Sequence, residues 1–339
     1  MEFAKRPYPI SGQRCSSLDR GVDLLQKDLE GVDLEFQKNL GSKVAIISDI
    51  GEYLRRSGGK RFRARLLLLS AKLCGYEGDL HVTMASMIEF IHTATLLHDD
   101  VVDKADLRRG NASANSIWGN EPCVLVGDFL FTKCFSLMVE IGNWEIVRTL
   151  SNATMLMAEG ELEELAKTAK LDLSDEDYLS IITRKTAILM SAATRIGAIL
   201  AHVSKEEEKA LTDFGMDVGT AFQLIDDNLD YTSKAEEFGK KIGIDLQEGK
   251  ITLPLIHTLR QCDPEERGVI QRALAAEPLT EQAFLEVVRI IERWGGIHYT
   301  SERAKEYVEK AKRHLSLFPN SRERDALFAM ADYILQRKL

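Results

Sequence analysis

Two short acidic runs stand out in this chain, Asp99-Asp100-Val101-Val102-Asp103 and Asp226-Asp227-Asn228-Leu229-Asp230. Both read DDxxD, both end an apolar helical stretch, and both are followed by basic clusters. The first and last Asp of the pattern are four residues apart, on one helical face about 6 Å along the axis. Like charges at the end of an apolar helix repel one another unless a cation neutralises them. Carboxylate oxygens are hard donors suited to Mg²⁺, which commonly joins one or two protein carboxylates to substrate phosphates. One such run reads equally well as a solvated helix end; two copies, each preceded by apolar sequence, point to a metal site. Helical phase adds further groups to each face. His92, Leu96, Asp99 and Asp103 form one stripe, and Gln223, Asp226 and Asp230 form another.

Cationic groups recur beside these runs. Gly58-Gly59-Lys60-Arg61-Phe62-Arg63 joins a turn to three positive charges at a helix start, and both features favour phosphate. The GxxxxGK spacing is absent, so this is not a P-loop. Arg108-Arg109-Gly110, Arg184-Lys185-Thr186, Gly239-Lys240-Lys241 and Lys250 supply more cations. Any one of them alone reads as a solvated surface charge. Their recurrence beside acidic runs, in a chain of net charge −9, argues for a small anionic ligand and against nucleic acid as a partner.

The elements that must position these groups are helices. From about Ser17 apolar residues recur at helical spacing almost throughout, and only seven prolines interrupt the chain. The spacing predicts helices over 17–39, 43–57, 61–74, 80–103, 121–140, 144–168, 175–202, 205–231, 251–261, 266–275, 280–293, 297–316 and 321–337. Ser174, ahead of acidic residues 175–177, is a helix start, and Gly58-Gly59, Gly75, Gly110 and Gly295-Gly296 are breaks. No alternating pattern is long enough for a sheet. The expectation is an all-α, single-domain bundle over 17–339, with long helices around a central cavity, preceded by a flexible arm over 1–16. Five scattered cysteines without a CxxC pair read as reduced thiols. The N-terminus shows no secretory h-region, and the apolar run Leu66–Leu69 is too short to span a bilayer. A cytoplasmic protein with no integral membrane segment is expected.

Taken together, GGKRFRARL (58–66), EFIHTATLLHDDVVDKADLRRGNASAN (89–115), VLVGDFLF (124–131), RKTAILM (184–190), FQLIDDNLDY (222–231) and GKKIGIDLQEGKITLPL (239–255) resemble the trans-isoprenyl diphosphate synthases, above all their bacterial long-chain type. The likeness runs through nearly the whole chain beyond residue 20. It implies a Mg²⁺-dependent prenyltransferase that adds isopentenyl diphosphate head-to-tail to an allylic diphosphate such as farnesyl diphosphate. By this resemblance Asp99, Asp100, Asp103, Asp226 and Asp230 bind a cluster of three Mg²⁺ ions. Arg108, Lys185, Thr186, Gln223 and Lys240 hold the allylic diphosphate, and Lys60, Arg63, His92 and Arg109 hold that of isopentenyl diphosphate. The catalytic set is Asp99, Asp103, Asp226, Lys185 and Lys240, and the assembly is a homodimer. The chain departs from the family at Ala64, where Pro is frequent, and at Ile244, where a polar or acidic residue is frequent; neither removes an implied ligand.

Product length is set by the residues below the first acidic run. Thr95 lies one turn below Asp99 and Ile91 a further turn below, with Ala94 beside them. Short-chain relatives carry bulky aromatics at the positions matching Ala94 and Thr95; here both are small. The stop is expected lower, at Phe135, Leu137 or Met138, giving a product of about C40, a quinone side-chain precursor. The competing readings are a shorter-chain synthase, a class I terpene cyclase, which would carry a different second motif, and a non-catalytic partner subunit, which would lack some of these ligands.

Overall fold

The computed structural model describes residues 19–56, 59–108, 110–232, 243–276 and 278–337. The chain is all-α, as expected. Its helices are α1 Asp19–Leu40, α2 Ala45–Arg56, α3 Phe62–Leu73, α4 Leu80–Val102, α5 Ala114–Trp118, α6 Asn120–Ile141, α7 Trp144–Lys167 and α8 Asp175–Ile182. After a π-turn at Thr183–Ala187 come α9 Ile188–Leu200, α10 Lys205–Thr232, α11 Ile244–Gln247, α12 Leu253–Leu259, α13 Pro264–Leu274, α14 Glu281–Arg293, α15 Gly296–His314 and α16 Arg322–Gln336.

α4 is central and packs against α1, α3, α6 and α9. Every side chain from Met84 to Ile91 is buried, and Phe90 stacks on Phe36 of α1 with ring centroids 4.4 Å apart. Each fully buried Leu, Ile or Phe here contributes about 1.5–3 kcal/mol relative to exposure. Among the described residues α4 is the one helix long and apolar enough to cross a membrane, and 67% of that stretch is buried inside the protein. α10 is the second axis, packed on α9, α15 and α16.

Helix starts follow local chemistry. The Ser174 hydroxyl accepts from the Asp177 amide and the Asp177 carboxylate returns to the Ser174 amide, so α8 opens on a complete capping box. Asp263 and Glu266 do the same for α13, with Pro264 at its first position.

The structure differs from the predicted helices in several places, among them the short helices α5 and α11, which were not predicted. Residues 175–202 are not one helix, because the π-turn at 183–187 adds a widened turn. α7 and α10 press on it from two sides, and only glycine fits. A Cβ at Gly160 would lie 2.8 Å from Lys185 N, and one at Gly219 would lie 2.5 Å from Ala187 Cα. Between α4 and α5 the chain also makes a minimal antiparallel hairpin, β1 Leu107–Arg108 with β2 Asn111–Ala112. Gly110 turns it at φ 78°, and two-residue strands leave no alternation to read.

Candidate active site

On α4 the side chains of His92, Leu96, Asp99 and Asp103 are half-buried, whereas their neighbours Thr93, Ala94, Leu97 and Asp100 are buried. The expected stripe is accessible, but so are Thr95, His98 and Val101, which are half-buried as well. Burial pushes the Asp99 carboxyl from 3.8 up to about 7; Lys185 opposes the rise and Glu161 adds to it. Asp100 is occupied differently from its neighbours. It is fully buried, and its Oδ1 accepts from Arg108 Nε at 2.6 Å. It therefore anchors the first arginine of the hairpin rather than facing the stripe. Burial raises its carboxyl, and Arg108 works against that rise.

On α10 Gln223, Asp226 and Asp230 are half-buried, and Asp227 is 4% exposed. The buried middle carboxylate is again spent internally. Its Oδ2 accepts from the Tyr178 hydroxyl of α8, and its Oδ1 accepts from Gln223 Nε2 at 2.8 Å. The Thr186 hydroxyl in turn donates to Gln223 Oε1 at 2.8 Å. Thr186 and Gln223, both expected at the diphosphate, are thus joined to each other, and the chain of bonds ties the π-turn to α10. Asp226 Oδ1 pairs with Arg337 Nη2 at 2.5 Å, while the Arg337 guanidinium lies 4.4 Å from the Phe222 ring. Asp230 accepts from the Ile244 and Asp245 amides at 3.3 and 3.1 Å, at the start of α11. Asp245 is half-buried, and its carboxyl is raised, first by desolvation and then by Asp230 and Asp227.

The two halves meet around a pair of lysines. Lys185 Nζ lies 2.7 Å from Glu161 and 2.6 Å from Glu164, both on α7. Lys250 Nζ lies 2.7 Å from Glu248 and 3.5 Å from Asp103. Burial works against each ammonium, but the surrounding carboxylates outweigh it and both lysines are held charged. Glu248 is raised by burial and, after the opposing pull of Lys250, by both Asp103 and Asp230. The first and second acidic runs therefore share one electrostatic space at this loop.

A second cationic group forms at the start of α3. Arg63 Nη1 is 3.2 Å from His92 Nε2, and Lys60 Nζ lies 4.4 Å from the Tyr333 ring. Arg61 is turned away from this group. In left-handed conformation at φ 48°, it pairs with Asp33 at 2.9 Å and Glu89 at 3.2 Å. Arg109, Lys240 and Lys241 lie outside the described residues, as does the arm over 1–16.

Below Asp99, Thr95 is half-buried with its hydroxyl donating to His92 O at 2.8 Å, while Ala94 and Ile91 are buried. Met138 of α6 is 2% exposed and Leu137 is half-buried. Phe135 is 44% exposed, on the outer side of α6.

Glu161, Glu164, Glu248, Tyr178 and Arg337 join the site without having been singled out in the sequence. The run EGELEELAK reads as an ordinary charged helix face, and nothing around residue 337 signals a partner on α10.

The donor set suits a hard divalent cation. The half-buried carboxylates offer oxygen ligands, and burial of Asp99 disfavours its charge unless a cation stands beside it. Among the described residues no three such groups are preassembled around one point.

Comparison with known proteins agrees with this arrangement. The polyprenyl synthetase family model matches residues 44–291. The chain is 42% identical over 322 residues to octaprenyl diphosphate synthase of Escherichia coli (strain K12), covering 95% of this chain and 99% of that one. It is 39% identical over 312 residues to the geranyl-diphosphate-specific all-trans-nonaprenyl-diphosphate synthase of Rhodobacter capsulatus, covering 92% and 95%. The structure of polyprenyl synthase from Caulobacter crescentus CB15, complexed with calcium and isoprenyl diphosphate, superposes with a TM-score of 0.92 at 41% identity, over 97% of this chain and 100% of that one. Acidic runs facing lysines across a helical cleft, in a chain matched along almost its whole length, are the mark of a prenyltransferase, and the chain belongs to the polyprenyl synthetase family.

Proposed function

We propose that the chain is a Mg²⁺-dependent long-chain polyprenyl diphosphate synthase, adding isopentenyl diphosphate head-to-tail to an allylic diphosphate such as farnesyl diphosphate, with a product of about C40 for quinone side chains. The observation that carries this reading is the cluster joining both acidic runs: Lys250 reaches Asp103, Lys185 acts on Asp99, and Glu248 feels both Asp103 and Asp230. Long product length is supported by the small side chains at Ala94 and Thr95 and by the octaprenyl and nonaprenyl products in the names of the relatives.

Asp99, Asp103, Asp226 and Asp230 would hold the three ions, with Asp100 orienting Arg108. Mg²⁺, when bound, withdraws charge from the leaving diphosphate. Lys185, Lys250 and Arg108 donate to that same diphosphate, and by resemblance Lys240 joins them. Lys60, Arg63 and His92, with Arg109 by resemblance, hold the diphosphate of isopentenyl diphosphate. The allylic C–O bond breaks, the alkene attacks the resulting cation, and the departed diphosphate accepts the proton that is lost. The apolar wall of α4 keeps out water that would quench the cation.

The enzyme is proposed to act in the cytoplasm as a homodimer. An apolar face supports the second copy: Leu125 and Val139 of α6 are 66% and 77% exposed, and Met155 and Leu162 of α7 are 53% and 66% exposed. The test is condensation of labelled isopentenyl diphosphate with farnesyl diphosphate and Mg²⁺, followed by chromatography of the dephosphorylated product. A ladder ending near C40 is expected. No chain elongation would refute the reaction, and a product no longer than about C20 would refute the long-chain assignment.

A further inference from the structure

Three glutamates, Glu161, Glu164 and Glu248, lie where an anion is to bind, and their charge opposes that binding. Lys185 comes from the π-turn, Lys250 from the loop after α11, and Glu164 from α7 between them. Glu164 Oε2 lies 2.6 Å from Lys185 Nζ and 4.0 Å from Lys250 Nζ. It is the carboxylate that reaches both ammoniums; Glu161 reaches Lys185 at 2.7 Å, and Glu248 reaches Lys250 at 2.7 Å. The side chains of Glu164, Lys185 and Lys250 are all partly shielded, at 20%, 22% and 18% exposure, so their attraction is little screened. The contact is built into the backbone. Gly160 lets α7 approach Lys185 N so closely that a Cβ would stand 2.8 Å away, which delivers Glu161 and, one turn on, Glu164 to the ammonium.

We infer that Glu164 is a positioning residue for the transfer reaction, holding the Lys185 and Lys250 ammoniums toward the leaving diphosphate. This inference rests on the reading of Lys185 as a ligand of that diphosphate. A lysine is a flexible stem with a strongly hydrated point charge and three donors. Glu164 takes one hydrogen-bond donor of Lys185 and Glu161 adds an ion pair at 2.7 Å, which leaves donor capacity for the side where Asp99 acts on the ammonium. A donor fixed before the reaction stabilises charge that grows on the leaving oxygens without first being reoriented. The cost is added negative charge near an anion site, so Glu164 weakens ground-state attraction while it favours the transition state.

The experiment compares Glu164→Leu, Glu164→Gln and Lys185→Ala with wild type in steady-state kinetics. Calorimetric binding of inorganic pyrophosphate with Mg²⁺ is measured in parallel. Glu164→Leu should lower kcat about 100-fold, the scale of losing one preorganised donor, with KM for the allylic substrate within about threefold. Glu164→Gln keeps an acceptor for Lys185 and should recover to within about tenfold of wild type, while binding pyrophosphate at least as tightly. A kcat for Glu164→Leu within about threefold of wild type would overturn the inference. So would a Gln variant no better than the Leu variant, because that result assigns the effect to charge alone. If Glu164→Leu does not fold, Glu164→Asp, one methylene shorter, must show the kcat loss with unchanged KM, and its absence overturns the inference equally. Lys185→Ala separates the two levels. An unaffected Lys185→Ala enzyme removes Lys185 from the diphosphate site, whereas a dead Lys185→Ala beside a fully active Glu164→Leu removes only Glu164.

Discussion

Replacing Asp99 by Asn should make the metal-free protein more stable at pH 8 while nearly abolishing turnover. In the folded chain burial raises the Asp99 carboxyl from 3.8 to about 7, so the unfolded chain releases this proton more readily. Between pH 4 and 7 the folded state holds the proton and the unfolded state does not, so stability falls as pH rises and the full penalty applies above pH 7. The difference of about 3 pH units, at about 1.4 kcal/mol each, sets an upper bound of about 4 kcal/mol. Asp99 is half-buried, and solvent reduces this to about 2 kcal/mol at pH 8 and below about 1 kcal/mol at pH 5. Lys185 keeps Glu161 and Glu164 as partners, so the substitution strands no cation. Thermal melts in EDTA at pH 5 and pH 8 read the effect. Asp99→Asn should melt higher than wild type at pH 8, by a few degrees, and by clearly less at pH 5. Adding Mg²⁺ with pyrophosphate should raise the wild-type midpoint and leave the variant nearly unmoved. A variant that melts below wild type at pH 8, or differs equally at both pH values, would refute the reasoning. Undiminished turnover in the folded variant would remove Asp99 from the catalytic site.

Gly219→Ala should cost about 1–3 kcal/mol and lower activity, because the new Cβ would meet Ala187 Cα at 2.5 Å and push the turn that carries Lys185; denaturant titration and turnover check both, and a neutral variant would show that α10 can back away. Ala94→Phe should shorten the product to about C15–C20, since a rigid ring at a fully buried position is not bypassed in a close-packed interior; an unchanged product ladder would mean the growing chain runs elsewhere. Val139→Asp places a charge on the exposed apolar face of α6, near its C-terminal end, and should shift the mass from dimer to monomer in light scattering; a dimer of unaltered affinity would move the interface to another surface.

The stripes on α4 and α10 were legible because a 3.6-residue period places His92, Asp99 and Asp103, or Gln223, Asp226 and Asp230, on one side whatever the rest of the chain does. Within each run helical phase sets Asp100 and Asp227 off the stripe, but what each is spent on was not legible. The partner of Asp100 is Arg108, eight residues on, brought back by a hairpin that no pattern announces. Asp227 is likewise held by Tyr178 and Gln223. The π-turn escaped notice because IITRKTAILM is apolar on both sides of the insertion, so the pattern stays helical through it. Glu161 and Glu164 look like a solvated face until Gly160 is seen to admit the π-turn. Arg337 reaches Asp226 only through the docking of the last helix, which no local pattern encodes.

The widened turn at Thr183–Ala187 also governs what kinds of heritable change this region can absorb. Each residue of an α-helix advances the chain by about 100°. Removing one residue here would restore a regular helix through α8 and α9, and would swing Lys185 and Thr186 a quarter-turn or more relative to one of the two segments. Ser174 would still cap α8 and the apolar face of α9 would still pack, so the chain would fold with its cations facing protein instead of the cleft. Substitutions at 183–187 are therefore graded in their effect, whereas a single-codon deletion is all-or-none. A deletion scan across 175–200 should show one narrow interval where folded protein accumulates normally and catalysis is lost.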